Sequence, residues 1–196
     1  MLIIFYRNPH VGKVKTRLAA EVGDSKALAI YLYLVSHTRT ITETLSVDKV
    51  VFYSDHIDTE DSWINTIYMK QLQDGLDLGD KMYNAFQYGF GKGYNSICII
   101  GTDCFELTPS IISRAFEALT FSDAVIGPAK DGGYYLLGMN SLHEQFFRDK
   151  SWGTNSVFKD TVSDFKAAAI KFHALPALSD IDKASDLPQA LHHLAR

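Results

Sequence analysis

Short apolar runs of strand type alternate along this chain with longer stretches whose apolar positions recur at helical spacing. The pattern predicts strands at 2–6, 49–54, 67–71, 96–100, 124–127, 134–139 and 170–175. Between them it predicts a helix at 26–45 with Ser25 as N-cap, one at 77–90 opening on Asp77 or Leu78, others at 110–119 and 156–164, and a closing helix at 184–194. Strands alternating with helices imply an α/β domain whose mainly parallel sheet is covered on both faces. No internal repeat, low-complexity tract or long linker interrupts the alternation.

Composition sets the outer bounds. The 196 residues, 46% of them hydrophobic, suffice for one well-filled domain over 1–196 and are too few for two comfortable ones. A formal net charge of −4 argues against nucleic acid or an anionic membrane as a partner. No apolar run approaches the roughly 18 residues of a membrane span, and no charged segment followed by an apolar one marks a leader, so a soluble, cytoplasmic protein is expected. Cys98 and Cys104 form no CxxC pair, and Cys98 falls in a predicted buried strand, so neither a disulfide framework nor a zinc site is expected.

Basic charge is concentrated locally. The first strand runs into RNPHVGKVKTRLA, which carries Arg7, Lys13, Lys15 and Arg17 before any acid appears at Glu21. Such a loop, ending at the start of a helix, gathers cationic side chains and free backbone N–H groups where a polyphosphate could sit. His10 lies inside it, as a phosphate contact or an ordinary surface residue; His192 and His193 fall on the closing helix and are expected in solvent.

Acidic residues stand where a cation would complement that loop. In SICIIGTDC an apolar strand ends in a single carboxylate, Asp103. Ligands of open α/β sheets bind outside the carboxyl ends of the strands, and an acid there can hold a divalent cation against a phosphate. The competing reading makes Asp103 a helix cap or turn residue. Near the other end, DIDKASDL places Asp180 and Asp182 two residues apart, on one face if the segment is extended. A third segment, GPAKDGGYYLLG, sets Asp131 beside Gly132 and Gly133. Paired glycines permit close approach of a ligand to main chain, but Asp-Gly is equally a hairpin signal, and both readings stand.

Several familiar motifs are missing. Gly12-Lys13 is followed by Val14, so the Ser or Thr of a Walker A loop is lacking. No GxGxxG follows the first strand, and no HExxH or GxSxG occurs.

The ordered series FYRNPHVGKVKTRLA, QDGLDLGDKM, IGTDCFEL, GPAKDGGYYLLG, WGTNSV and DIDKASDL resembles the bacterial DUF2064 family of small GT-A-like transferases, within the nucleotide-diphospho-sugar transferase superfamily. The resemblance runs from Phe5 to Leu187. It implies a Rossmann-like, three-layer GT-A fold with a mainly parallel mixed sheet, and a transferase using a nucleotide or nucleotide-sugar donor, a small-molecule acceptor and Mg²⁺ or Mn²⁺. By position, Lys13, Lys15, Thr16 and Arg17 fall on the family's basic nucleotide-binding loop, and Asp103 on its strand-end metal aspartate. Asp182 matches the distal metal acid, with Asp180 the second choice. Asp131, Gly132 and Gly133 match the DGGYY segment facing the donor or acceptor pocket, and Gln73, Gly75 and Gly79 a QxGxDLG segment near the nucleotide.

Glycosyl transfer from a nucleotide-diphospho-sugar is the leading reading. In it Asp103 and Asp182 hold the cation, Lys13 and Arg17 neutralise the leaving group, and Asp131 serves as base or ribose contact. Nucleotidyl transfer releasing pyrophosphate and a non-catalytic nucleotide-binding module are the alternatives; assembly as monomer or homodimer is open. The chain departs from the family pattern at Phe105, usually Pro; at Gly153, usually Ser; and at Lys183 and Ala184. None of these removes an implied metal ligand.

Overall fold

The computed structural model describes residues 1–195. Its strands are β1 (Leu2–Tyr6), β2 (Lys49–Tyr53), β3 (Tyr68–Leu72), β4 (Ile97–Ile100), β5 (Ala124–Pro128), β6 (Tyr134–Met139) and β7 (Phe172–Ala174). The α-helices are α1 (Thr16–Val22), α2 (Asp24–Glu43), α3 (Leu78–Gly91), α4 (Pro109–Ala118), α5 (Val157–Ala167) and α6 (His192–Ala195).

The seven strands form one sheet in the order β3-β2-β1-β4-β6-β5-β7. All its pairings are parallel except those of β6, which runs antiparallel to both β4 and β5. This agrees with the mainly parallel mixed sheet implied by the sequence. The exception has a local cause: only five residues link β5 to β6, room for a hairpin but not for the crossover that a parallel neighbour requires.

Successive residues of the central strands are buried on opposite faces, as a two-residue period dictates. Leu2 and Ile4 join Val51, Cys98 and Ile100 on one face, where Tyr31 and Val35 of α2 and Ile112 and Ala115 of α4 cover them. Ile3 joins Val50, Ile97 and Ile99 on the other, beneath Met82 and Phe86 of α3 and Phe165 of α5. A third cluster lies off the sheet, where Leu18 of α1 and Ala27, Ile30 and Leu34 of α2 enclose Ile181, Leu187 and Leu191 from the chain's end.

Two helix expectations need correction. Residues 16–22, the first four of them read as part of the basic loop, form α1, and α2 starts at Asp24 behind Gly23, whose φ of 89° suits a residue without Cβ. Ser25 therefore lies inside α2 rather than at its cap. The closing helix expected at 184–194 is broken into short 3₁₀ turns at Ala184–Asp186 and Gln189–Leu191 before α6. Pro188 accounts for the break: the residue before a proline avoids helical backbone, and Leu187 is extended at ψ 123°.

Candidate active site

β1 and β4 are neighbours, yet the chain leaves them in opposite directions along the sheet, toward β2 and toward β5. Loops that diverge in this way open a crevice outside the strand ends. A cavity of about 540 Å³ lies there. Arg7, Lys15, Thr16 and Arg17 from the segment after β1 line it, as do Thr102 and Asp103 after β4, Asp131 from the β5–β6 turn, and Asp180 and Asp182 from the C-terminal segment. Gln73, Leu78, Lys81 and Met82 line it as well, as do Tyr134 and Tyr135 of β6.

Main-chain anchoring brings the distant acids together. The Ile181 N–H donates to the carbonyl of Asp103 at 3.1 Å, and the Ile181 side chain is buried against α1 and α2. With Ile181 held inward, Asp180 and Asp182 on either side of it both line the cavity, the outcome expected of alternate residues in extended chain. Burying that isoleucine stabilises the arrangement by about 1.5–3 kcal/mol.

A lysine joins the acids. The Lys15 ammonium lies 3.0 Å from Asp103 Oδ2 and 3.4 Å from Asp182 Oδ1, and its side chain is only 5% exposed. Arg17 Nη1 reaches Asp182 Oδ2 at 3.3 Å, but this guanidinium is 62% exposed, so its pairing contributes little to stability and leaves it accessible to a ligand. Asp180, half-buried, has its carboxyl pushed up to about 7, first by loss of water and then by the charge of Asp103; Lys15 opposes the rise, while Asp131 and Asp182 add to it.

Other expected residues sit differently. Lys13 is exposed and does not line the cavity; it contributes instead its backbone carbonyl, which accepts from Arg7 Nη1 at 3.4 Å. Gln73 does line the cavity, its Nε2 donating to the carbonyls of Phe52 at 2.9 Å and Tyr6 at 3.4 Å. The four glycines proposed near the ligand lie outside the cavity lining. A Cβ on Gly79 would strike the Phe147 carbonyl and the Trp152 ring, one on Gly75 would strike Asp80 and Lys81, and one on Gly132 the backbone of Asn155. At these three positions small size serves contacts of the chain with itself, whereas a Cβ on Gly133 meets nothing nearer than Asp131 Oδ1 at 3.3 Å. Gly132 and Gly133 belong to the hairpin turn, closed by Ala129 N–H to Gly133 O at 3.0 Å and Gly132 N–H to Ala129 O at 3.1 Å. Asp131 accepts the Gly133 N–H on Oδ1 at 2.9 Å, which orients its carboxylate within the cavity wall. Of the departures from the family pattern, Phe105 packs against His37 at a ring distance of 4.9 Å, and Gly153 lines the cavity.

Tyr31 went unnoticed in the sequence because its place on α2 looks like ordinary helical core. Its buried hydroxyl donates to the Arg7 carbonyl at 2.6 Å and accepts from the Arg7 N–H at 3.1 Å, with the Thr102 hydroxyl at 3.5 Å. One phenol thereby ties the loop after β1 to the loop after β4, and burial raises its own pKa. Tyr31→Phe strips both Arg7 backbone groups of their partner and should lower stability by about 1–3 kcal/mol in urea unfolding. A loss below about 0.5 kcal/mol would show that water replaces the hydroxyl without consequence.

Carboxylate oxygens are the ligands that Mg²⁺ and Mn²⁺ take. Asp103 and Asp182 reach one ammonium from separate chain segments, so the residues suit a cation at this point. Among the described residues no group of three His, Cys, Asp or Glu side chains is gathered as a metal site, and a lysine stands between Asp103 and Asp182.

The comparisons with known proteins agree with this architecture. The model of a family described as "uncharacterized protein conserved in bacteria (DUF2064)" matches residues 37–154. A crystal structure from Desulfovibrio desulfuricans G20, of a protein assigned as a nucleotide-diphospho-sugar transferase, is 32% identical and superposes with a TM-score of 0.85 over 93% of this chain and 81% of that one. A nucleotidyl transferase from Methanothermobacter (14% identity, TM-score 0.62, 99% of this chain and 97% of that one) shares the fold. So does the inositol-1-phosphate CTP transferase of T. maritima (12% identity, TM-score 0.57, 99% and 94%). No curated protein matches. No helix among the described residues is long and apolar enough to cross a membrane.

Proposed function

The chain belongs to the bacterial DUF2064 family, and from that premise we propose that it transfers a glycosyl group from a nucleotide-diphospho-sugar to a small-molecule acceptor, with Mg²⁺ or Mn²⁺ as cofactor. Kinship makes it a transferase that uses a nucleotide-bearing substrate; the sugar and the metal are the finer parts of the reading. The observation that carries it is one cavity lined both by cationic side chains after β1 and by Asp103, Asp131, Asp180 and Asp182, with Lys15 and Arg17 paired to the acids. The 32% identical relative favours a sugar-bearing donor over a nucleoside triphosphate.

In this reading Asp103 and Asp182, with Asp180 beside them, would hold the cation, which neutralises diphosphate charge when bound. Arg17, exposed beside Asp182, takes the departing phosphate; charge-assisted bonds of this kind are the strong ones. Asp131 Oδ1 is held by the Gly133 N–H, leaving Oδ2 to accept the acceptor's proton as the new bond forms. Gln73 and the Tyr134 ring also line the cavity and suit the nucleoside.

The reading is tested by thermal shift with a panel of nucleoside triphosphates and nucleotide-diphospho-sugars, with and without Mn²⁺, followed by product analysis. A ligand at about 100 times its Kd should add about 2.7 kcal/mol of stability. Preference for a sugar nucleotide and release of a nucleoside diphosphate are expected. Preference for a triphosphate with pyrophosphate release would convert the assignment to nucleotidyl transfer, and metal-dependent binding without any product would leave a binding module.

A further inference from the structure

We propose that Lys15 is an internal counter-cation: its ammonium holds the place of the divalent cation between Asp103 and Asp182 in the unliganded protein, and leaves as the metal binds. The inference rests on the metal-dependent reading above.

The observations separate Lys15 from the other basic residues of its loop. Lys13 is exposed and Arg17 is 62% exposed, whereas the Lys15 side chain is 5% exposed and touches both acids at once. An ammonium buried to this degree persists only where carboxylates replace its water. The reverse also holds: with Asp103, Asp131, Asp180 and Asp182 lining one cavity, some cation is needed to keep the acids together. The backbone points the same way. Lys15 is at φ 49° and ψ 46°, a left-handed conformation unusual for a side chain other than Gly, Asn or Asp, at the N-cap of α1 where its side chain caps nothing. The two ion pairs are what this conformation places within reach.

A divalent cation placed between the two carboxylates stands against the Lys15 ammonium, and like charges at such separations repel. Metal binding thus works against both ion pairs and displaces the ammonium. A bound donor phosphate lowers the cost of that exchange by offering the released ammonium a new partner. Metal and donor then bind with positive coupling, and each strengthens the other by the same factor. An empty site keeps weak affinity for metal, which reserves the loaded state for the moment the donor is present.

The test is titration of Mn²⁺ alone, followed by calorimetry and by the Mn²⁺ electron paramagnetic resonance signal, on the wild-type chain and on Lys15→Met and Lys15→Gln, with folding checked by circular dichroism. Removal of the competing ammonium should tighten Mn²⁺ binding about tenfold or more in both variants. Thermal midpoints should cross: below wild type in chelator, where the acids have lost their cation, and equal or higher in saturating Mn²⁺. Plain structural damage would lower the midpoint in both conditions. Unchanged or weaker Mn²⁺ binding by both variants, while the wild type binds Mn²⁺ in the presence of donor, would overturn the counter-cation role and leave the metal-dependent reading intact. Absence of Mn²⁺ binding in all three chains, with and without donor, would overturn the metal-dependent reading and this inference together.

Discussion

Asp103→Asn is expected to lower kcat/KM by about a hundredfold or more, equivalent to about 2.7 kcal/mol of transition-state stabilisation, while leaving a folded protein. The change keeps the side chain's shape and removes one of the two charges that meet at the Lys15 ammonium, 3.0 Å from Asp103 and 3.4 Å from Asp182. Asp182→Asn should act in the same direction, and the double variant should lose little beyond the worse single one, because residues that act as one unit are not additive. Both variants should also lose the stabilisation that Mn²⁺ confers together with donor. Assay of nucleoside diphosphate release against Mn²⁺ concentration checks this. Near-wild-type turnover in folded Asp103→Asn would remove the acids from the chemistry and the proposed mechanism with them.

The second large effect concerns Asp180 and is a matter of stability. Its carboxyl is raised from an ordinary 3.8 to about 7 in the folded chain, chiefly by burial and then by Asp103. The folded state therefore holds a proton that the unfolded state has released, so stability falls as pH rises from about 4 through 7 and the whole penalty is present above 7. At about 1.4 kcal/mol per tenfold the span amounts to about 4 kcal/mol, and solvent screening at a half-buried position reduces this to about 2 kcal/mol. Asp180→Asn should accordingly raise metal-free stability by about 2 kcal/mol at pH 8 and change it little at pH 4. Urea unfolding in chelator at several pH values measures the difference. An equal effect at both ends of the range would mean that the substitution acts through packing rather than charge.

Much of the fold was legible because it depends on local periodicity. The strands at 2–6 and 134–139 begin and end where the apolar runs do, and the other strands deviate by one or two residues. The acids at 180 and 182 were legible for the same reason: with alternation along extended chain, one buried isoleucine aims both neighbours at the cavity. Even the broken closing helix had a local signal in Pro188, since a proline restricts the residue before it. The Asp-Gly turn signal was legible too: Gly132 and Gly133 lie in a hairpin turn closed by Ala129.

Contacts between distant segments were settled by the tertiary structure alone. No pattern within residues 25–45 distinguishes Tyr31 from its apolar neighbours; its partner at Arg7 exists only because α2 packs across the ends of β1 and β4. Nor does a run of four cations after β1 reveal that Lys13 faces solvent, Arg17 the cavity mouth and Lys15 the acids. Sequence determined which chemical groups are present and the local elements that carry them, because propensity and periodicity act over a few residues. Their pairing, Lys15 with Asp103 and Asp182 above all, was decided by sheet order and by the burial of Ile181, because charges more than eighty residues apart meet only where the fold brings their loops to one crevice.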